Sequence, residues 1–273
     1  MLSLIVTWCN RRELAEALPS FVALANAVAG EIILVNFGGS SDLVQELIGD
    51  MPTDKIVLVD VPGQAYFNKA CAQNIGARHA TQPVLFFCDC DIILEPALVA
   101  NLAARVLHGE QSFATIAQVR ENAPCRRRSG HISLLGYELK LRRSDGRTLN
   151  IVYRGEEEGT GIRMAPGLLV VRRNNFLAVR GYNSNLAGWG WESQDIICRL
   201  VLGLGLERID EGTLVHLSHD EESRIKFTPV TDRWENRDRM FRQAIANYYA
   251  GDFYGTYSKD IATTRTRPTA ATH

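Results

Sequence analysis

The sequence predicts an α/β protein with a doubly wound, mostly parallel central sheet that carries helices on both faces. Short apolar runs alternate with helical patterns through the first hundred residues, which is typical of parallel strands joined by crossover helices. The fourth apolar run ends in two carboxylates, Asp89 and Asp91, at the point where open α/β sheets bind their ligands. The 273 residues suffice for one large domain, which we expect over residues 1–262, followed by a disordered tail over 263–273.

The first half of the chain has the more regular pattern. Apolar residues at helical spacing between Leu14 and Val28 mark one face of the first helix, and Gly30 ends it. A short second helix ends at Ile48, and a third helix covers about 64–80. Strands are predicted at Leu2–Thr7, Glu31–Val35, Ile56–Val59 and Val84–Cys88.

The second half of the chain is less regular. Residues 120–163 are rich in Arg, Glu and Gly, and they predict loops and short antiparallel strands. Regular elements then resume. They are a strand at Gly167–Val171, a short helix at Asn174–Val179, a helix that begins near Glu192 and a polar helix over about Thr231–Tyr249.

Composition excludes several classes of protein. A net charge of −1 provides no overall attraction to nucleic acids or acidic membranes, so neither is an expected partner. No apolar run approaches the roughly 20 residues of a membrane span, and the chain begins with a strand pattern rather than a signal peptide. Six cysteines are scattered without a C-x-x-C pair, which disfavours a disulfide framework. We therefore expect a cytoplasmic location.

Asp89 and Asp91 carry the strongest chemical signal. Residues i and i+2 of a strand point to the same face with Cα atoms about 6.6 Å apart, so both carboxylates can address one divalent cation. Burying a carboxylate without a partner is costly, which indicates a cation nearby. Paired carboxylates and a diphosphate are the usual surroundings of Mg²⁺ or Mn²⁺. The alternative is that these residues cap the helix that starts near Glu95.

Two further segments add candidate site residues. Trp189 and Trp191 alternate with glycines, and flat aromatic rings suit the C–H faces of a sugar, while Glu192 and Asp195 project from one face of the next helix to accept hydroxyl hydrogens. The alternative is an acidic helix start with tryptophans in the core. Further along, His216 can supply the nitrogen ligand of a metal site, unless it and its neighbouring histidine are solvated or core residues.

The donor side of the predicted site is less specific. Asn68 and Lys69, near a helix start, can meet ribose or phosphate oxygens, although an ordinary amphipathic helix has the same pattern. Asn36 begins the loop after the second strand, where a nucleotide base and ribose lie in doubly wound sheets. This loop is neither G-x-G-x-x-G nor a Walker loop, which argues against dehydrogenases and kinases.

Taken in this order, the segments resemble the GT-A glycosyltransferases, in the branch of the β-1,4-galactosyltransferases, polypeptide N-acetylgalactosaminyltransferases and chondroitin-polymerase-like enzymes. The resemblance covers about residues 2–220. The segments that carry it are Ile5–Arg12, Gly39–Asp42, Phe67–Ala70, Asn74–Gly76, Asp89–Asp91, Gly181–Asn183, Trp189–Glu192 and His216.

The resemblance implies a metal-dependent transfer of a hexose or N-acetylhexosamine from a nucleoside diphosphate sugar, usually a UDP-sugar, to an acceptor hydroxyl. Residues 1–110 would form the nucleotide-binding half and 111–262 the acceptor and metal half. Mn²⁺ or Mg²⁺ would be bound directly by Asp91, with His216 as the second position, His219 as its competitor and Asp89 bridging metal and ribose. The implied cofactor-binding residues are Thr7, Asn10, Arg12, Asn36, Asn68, Lys69, Asp89, Gly167, Trp189 and Trp191.

The sequence departs from the family pattern in two places. One is Asn36-Phe37, where relatives often have two Asp, and the other follows Glu192. Inverting galactosyltransferases have an Asp after the Glu of this motif as the catalytic base, whereas this chain has Ser193, which has no useful basicity at neutral pH. Either Glu192 or Asp195 serves as the catalytic base, or the reaction retains configuration. The alternatives are a non-catalytic nucleotide-sugar-binding subunit and a sugar nucleotidyltransferase, although 7–12 lacks the glycine-rich loop of the latter.

The acceptor stays open between a glycan, a lipid carrier, a peptide and a small metabolite. The basic run Arg126–Arg128 suits an anionic acceptor, or it is a solvated loop.

Overall fold

The computed structural model describes residues 1–49, 51, 54–123, 136–157, 159–219, 222 and 225–270. Its strands are β1 Leu2–Trp8, β2 Glu31–Phe37, β3 Ile56–Val61, β4 Val84–Asp89, β5 Ile92–Ile93, β6 Ser112–Glu121, β7 Gly136–Arg142, β8 Thr148–Arg154, β9 Ile162–Met164, β10 Leu169–Arg172, β11 Glu207–His216 and β12 Arg267–Ala270. Its helices are α1 Leu14–Ala27, α2 Ser41–Ile48, α3 Lys69–His79, α4 Pro96–His108, α5 Arg173–Ala178, α6 Glu192–Cys198, α7 Arg233–Tyr249 and α8 Tyr257–Thr263. A π-helical turn, Arg199–Gly203, continues α6 directly.

One large mixed sheet organises the described part of the chain. Its strand order is β12-β3-β2-β1-β4-β10-β6-β11-β5, with β9 beside β6, while β7 and β8 form a separate hairpin. Strands β3, β2, β1 and β4 run parallel, and β6 runs parallel to β11. Because β10 is antiparallel to both β4 and β6, those two strands point the same way. The carboxyl ends of β1, β4, β6 and β11 therefore lie along one edge of the sheet.

Apolar side chains alternate between the two faces of the sheet, so each face has its own core. Leu4 and Val6 of β1 point into the core that includes α1 and α4, and Ile5 between them points into the core that includes α3 and α6. All of β1 is buried, as expected of a strand covered on both faces. The predicted mostly parallel sheet with helices on both faces is confirmed. Among the described helices, none has the length and apolar character needed to cross a bilayer.

Helix α3 begins later than the pattern predicted. The predicted helix covered about 64–80, but Asn68 has an extended backbone, and its side chain accepts a hydrogen bond from the backbone N–H of Cys71 at 3.0 Å. This N-cap satisfies an otherwise unpaired donor of the first turn, so the helix begins at Lys69.

The sequence pattern did not predict two long strands in the second half of the sheet. Strands β6 and β11 each have ten residues and lie side by side through the second half of the sheet. Strand β11 was not predicted because charged residues interrupt any apolar alternation in it, namely Glu207, Arg208, Asp210 and Glu211. The apolar residues of β6 are buried, although Arg120 at its end led to the prediction of a loop.

The predicted disordered tail over 263–273 is corrected in part by the structure. Residues Arg267–Ala270 form β12, which pairs antiparallel with β3, and 271–273 lie outside the described residues. Without this pairing, β3 would present an unpaired edge, which explains why a polar segment is ordered here. Just before it, α8 is tied to α3 by the Nδ2 of Asn74, which donates to the carboxylate of Asp260 at 2.7 Å.

Candidate active site

The carboxyl edge of the sheet brings Asp91 and His216 together. Strand β4 ends at Asp89, and β5 then pairs with the end of β11, where Ile92 lies opposite His216. The backbone N–H of Leu217 donates to the carbonyl oxygen of Asp91 at 2.8 Å. This backbone pairing holds the two side chains beside each other although they are distant in sequence.

Asp91, His216 and His219 form a cluster with the composition of a metal site. The Oδ2 of Asp91 lies 3.6 Å from the Nε2 of His216 and 3.3 Å from the Nε2 of His219. One ligand atom of each residue lies within 4.8 Å of the others. The buried Oδ1 of Asp91 has no hydrogen-bond partner among the described residues, and a bound cation would satisfy it. One carboxylate and two imidazoles fit a divalent ion such as Mn²⁺.

The protonation of this cluster follows from burial and mutual hydrogen bonds. Burial acts to raise the pKa of Asp91, but hydrogen bonds with His216 and His219 hold that pKa well below its usual range. Burial acts to lower the pKa of His216, and the carboxylates of Asp91 and Glu121 outweigh it, so that this pKa is raised. Asp91 therefore stays ionised, which is the form that binds a metal cation.

Asp89 lies outside this cluster. Its Oδ1 is 2.5 Å from the Nζ of Lys69, the first residue of α3. Burial acts to lower the pKa of Lys69, but the charges of Asp89 and Glu192 outweigh it and raise that pKa, so the lysine stays protonated. In this geometry Asp89 pairs with Lys69, which is partly buried, and the predicted contact of Asp89 with a metal stays a prediction.

A carboxylate that the pattern did not single out, Glu121, lies behind His216. Its Oε2 is 2.7 Å from the Nδ1 of His216, and its Oε1 is 2.5 Å from the Nε of Arg163. The hydroxyl of Ser218 donates to the same Oε2 at 2.8 Å. Burial acts to raise the pKa of Glu121, but the hydrogen bonds with His216 and Arg163 lower it to about 2.

Glu192, the first residue of α6, lines the cleft near Lys69. It is 8% exposed, and its Oε2 accepts a hydrogen bond from the backbone N–H of Gly190 at 3.2 Å. Burial raises the pKa of Glu192, against the opposing charge of Lys69. Gly190 has φ +146°, and a Cβ there would lie 2.7 Å from the Cα of Arg237, so the loop before α6 requires glycine.

Asp195 and Trp191 do not reach the cleft, which corrects two predictions. The carboxylate of Asp195 is 1% exposed and is taken by the Nη2 of Arg199 at 2.8 Å and by the hydroxyl of Tyr248 at 2.7 Å. Trp191 is buried and packs edge-on against Phe241. Helical spacing predicted that Glu192 and Asp195 share one face of α6. In the structure Glu192 lines the cleft, whereas Asp195, one turn later, is buried in the core.

The basic residue at the end of β1 is Arg11 rather than the predicted Arg12. Arg12 is 71% exposed and pairs with Glu46 on α2. Arg11 lines the cleft, with its Nη2 3.4 Å from the Oδ2 of Asp91. The indole N–H of Trp8 donates to the carbonyl of Arg11 at 2.7 Å and holds this turn.

Three predicted asparagines hold loops instead of lining the cleft. Asn10 accepts a hydrogen bond from the N–H of Ser40, Asn36 donates to Asp60, and Asn68 caps α3. Thr7, in contrast, lines the cleft, and its predicted contact with the nucleotide stays a prediction. The glycine at 167 keeps space beside the site. A Cβ on it would lie 3.3 Å from both the Nζ of Lys69 and the Oγ of Ser193, and 3.9 Å from the Oδ2 of Asp89.

The cleft has a volume of about 220 Å³ and combines these groups. Its walls include the cluster of Asp91, His216 and His219, the two carboxylates Asp89 and Glu192, and the ring of Trp189. Three cationic side chains also line it, namely Arg11, Lys69 and Arg163. Arg163 is the last residue of the region predicted as irregular, and the pairing of β9 with β6 brings it here. The basic run Arg126–Arg128 lies outside the described residues.

Two family models match consecutive parts of the chain. A model described as glycosyl transferase family 2 matches residues 3–156, which is more than half of the chain. A model described as the N-terminal domain of galactosyltransferase matches residues 157–220. Comparison with curated proteins finds no match.

Several solved structures have a similar fold. GalNAc-T7 with UDP, GalNAc and Mn²⁺ is 14% identical, with a TM-score of 0.60 over 89% of this chain and 47% of that one. TarS of S. aureus with UDP-GlcNAc is 11% identical, with a TM-score of 0.55 over 89% and 65%. The mannosyltransferase PcManGT of Pyrobaculum calidifontis with GDP-Man and Mn²⁺ is 15% identical, with a TM-score of 0.53 over 91% and 64%. The chain thus spans less than two thirds of the length of each, and at these identities the similarity shows the fold.

Proposed function

The chain belongs to glycosyl transferase family 2 and is a GT-A glycosyltransferase, and from this premise we propose that it transfers a sugar from a nucleoside diphosphate donor to an acceptor hydroxyl. We propose a hexose or N-acetylhexosamine as the sugar and uridine as the nucleoside. GalNAc-T7 and TarS support the choice of uridine, because they were crystallised with UDP or UDP-GlcNAc. PcManGT, crystallised with GDP-Man, supports a nucleoside diphosphate sugar but not uridine.

The cluster of Asp91, His216 and His219 is the observation that carries the proposal. These residues would hold Mn²⁺ or Mg²⁺, which as a Lewis acid neutralises the charge that develops on the departing diphosphate. The unpartnered Oδ1 of Asp91 supports this assignment. So does the position of the cluster at the carboxyl edge of the sheet, where ligands bind in open α/β folds.

The charges around the cleft explain why the donor would need a divalent cation. Arg11, Lys69 and Arg163 each already pair with a carboxylate, and Glu192 adds one further acidic group. Leaving the histidines aside, the carboxylates exceed the cations by one charge, so these three cations leave no surplus positive charge for a bare diphosphate. A divalent ion reverses the sign, and the three cationic side chains can then orient the phosphate oxygens.

Glu192 is the side chain that we assign to the acceptor. Its carboxylate lies on the cleft, and its raised pKa suits a group that takes a proton from the acceptor hydroxyl. Trp189 forms part of the same wall and offers an aromatic ring to the apolar face of a sugar. With Glu192 as base, displacement at the anomeric carbon would invert its configuration.

The test is release of sugar from UDP-sugars with and without Mn²⁺. Replacing Asp91 with Asn should lower the metal-dependent rate by at least about 100-fold, because loss of groups that merely support a metal ligand already costs about 10–100-fold. The matched control is Asp54→Asn, which changes an exposed carboxylate at the opposite edge of the sheet and should leave the rate unchanged. An unchanged rate in Asp91→Asn would reject the metal assignment.

The same assay separates the two alternatives. Formation of pyrophosphate from a nucleoside triphosphate and a sugar phosphate would identify a nucleotidyltransferase. Binding of UDP-sugar without turnover, across a panel of glycan, lipid and peptide acceptors, would identify a non-catalytic subunit.

A further inference from the structure

We propose that Glu121 is a positioning residue that fixes the ring orientation and the tautomer of His216, so that His216 presents an unprotonated Nε2 to the metal. This inference rests on the proposed metal-dependent function. It concerns a residue that touches neither the donor nor the metal and acts only through the histidine.

The sheet register places Glu121 against His216. Strands β6 and β11 run parallel, and Glu121 and His216 are register partners at their carboxyl ends. Both side chains are buried, at 4% exposure each. The backbone N–H of Asn122 donates to the carbonyl of His216 at 2.9 Å and continues this pairing beyond the strands. The contact between the two side chains is therefore built into the backbone of the sheet.

The contact with Glu121 selects one tautomer of His216. An ionised carboxylate only accepts hydrogen bonds, so the Nδ1 of His216, 2.7 Å from the Oε2 of Glu121, must carry the proton. In the neutral ring this leaves the lone pair on Nε2, the atom that faces the Oδ2 of Asp91 at 3.6 Å. The metal-facing nitrogen is thus kept available by a group on the other side of the ring.

Glu121 is itself held at both oxygens. Arg163 donates to Oε1 and Ser218 donates to Oε2, so the carboxylate has no freedom to turn away from His216. Ser218 is also anchored by its own backbone N–H, which donates to the side chain of Asn122 at 2.8 Å. Since Ser218 lies between His216 and His219 in sequence, the same contacts fix the turn that carries the second histidine.

Arg163 extends this chain of contacts to the donor. Its side chain lines the cleft, where the phosphates of the donor are proposed to bind, and its Nε pairs with Glu121. One guanidinium therefore contacts both the proposed phosphate site and the carboxylate that positions His216. A Gln at 121 would keep the shape of the side chain. Its amide could donate to Nδ1 and stabilise the wrong tautomer, and it would lose the charge that holds Arg163.

The test measures Mn²⁺ affinity without turnover, by the electron paramagnetic resonance signal of free Mn²⁺ during titration. Glu121→Gln should weaken Mn²⁺ binding about 10–100-fold, the usual loss when a supporting carboxylate is removed. The matched control is Glu211→Gln on β11, which also breaks a pair with an arginine, Arg105, but is exposed and does not contact a histidine. Its Mn²⁺ affinity should equal that of the wild type.

A second measurement reads the tautomer directly in the metal-free protein. Long-range ¹H–¹⁵N correlations of His216 at alkaline pH should show protonated Nδ1 and unprotonated Nε2 in the wild type, and a mixture in Glu121→Gln. Wild-type Mn²⁺ affinity in a folded Glu121→Gln variant, or a protonated Nε2 in the wild type, would overturn the inference. A wild type that binds no Mn²⁺ but has the expected tautomer would instead reject the proposed function.

Discussion

Glu192 differs from Asp91 and Glu121, the two carboxylates beside His216, in the direction of its pKa shift. Burial raises its pKa, whereas hydrogen bonds with histidine and arginine side chains lower the pKa of Asp91 and of Glu121. A general base acts only when it is deprotonated, so kcat/KM should fall as the pH drops through this raised pKa. Glu192→Gln should lower kcat by about 10²–10⁴-fold and remove this acidic limb, as measured by steady-state rates across pH.

The control for that variant is Glu207→Gln, which changes an exposed carboxylate at the far end of β11. It should keep both the rate and the acidic limb. A Glu192→Gln enzyme with wild-type kcat, or a product of retained configuration by NMR, would show that Glu192 is not the base.

Single residues also show how far the sequence predicts the site. Asp91 was predicted because it follows an apolar run, and His216 because an imidazole can complete a metal site and matches the family resemblance; the sheet edge brings them together. Glu121 was not predicted, because its role depends on the register between two strands far apart in the chain. The choice of Arg11 over Arg12 depends on the turn after β1, and sequence spacing alone does not determine which of two neighbouring side chains faces the cleft.

At the scale of the elements, the carboxylate of Asp195 connects α6 to the π-helical turn that follows it and to α7. Arg199 lies in the π-helical turn and also donates to the carbonyls of Val179 and Gly181, while Tyr248 lies in the last turn of α7. Asp195→Asn would leave the buried guanidinium of Arg199 without its counter-charge. We expect it to lower the free energy of unfolding by about 3–5 kcal/mol.

Urea denaturation measures this loss. Asp145→Asn, which breaks the partly exposed pairs with Arg143 and Arg147, should cost less than about 1 kcal/mol. The folded fraction of Asp195→Asn should keep its kcat, because this carboxylate does not reach the cleft. A stable Asp195→Asn protein with greatly reduced kcat would instead restore Asp195 as a catalytic candidate.

The elements of the first half follow the sequence pattern, and those of the second half do not. Strands β1 to β4 are buried on both faces or nearly so, and their continuous apolar runs are readily identified. Strand β11 carries four charged residues in its first half, and partners such as Thr115 for Asp210 and Arg105 for Glu211 accommodate them. Because these charged residues find their partners on other elements, the sequence of β11 itself shows no apolar periodicity that would predict a strand.

Across the whole molecule, bound Mn²⁺ should stabilise the fold. The proposed ligands lie at the ends of β4 and β11, so a cation that bridges them favours the folded chain. At one hundred times its Kd, Mn²⁺ should add about 2.7 kcal/mol of stability. This corresponds to a rise in Tm of about 5–10 °C, measured by differential scanning calorimetry and reversed by a chelator.

His216→Ala should lose most of this rise. The comparison variant is His108→Ala, which changes an exposed histidine at the end of α4, and it should keep the full rise. An equal rise in both variants would mean that Mn²⁺ stabilises the protein from another location.

The pairing of Glu121 with His216 has a consequence for folding kinetics. These two residues are 95 positions apart in sequence, and β10 must be seated between β4 and β6 before Asp91 can meet them. Contacts that close such long loops are among the slow steps of folding. The proposed metal site would therefore be completed late, and a nascent chain that has not yet formed β11 would hold no assembled ion site. In a refolding experiment, the onset of Mn²⁺ binding would mark the time at which the two halves of the sheet become one.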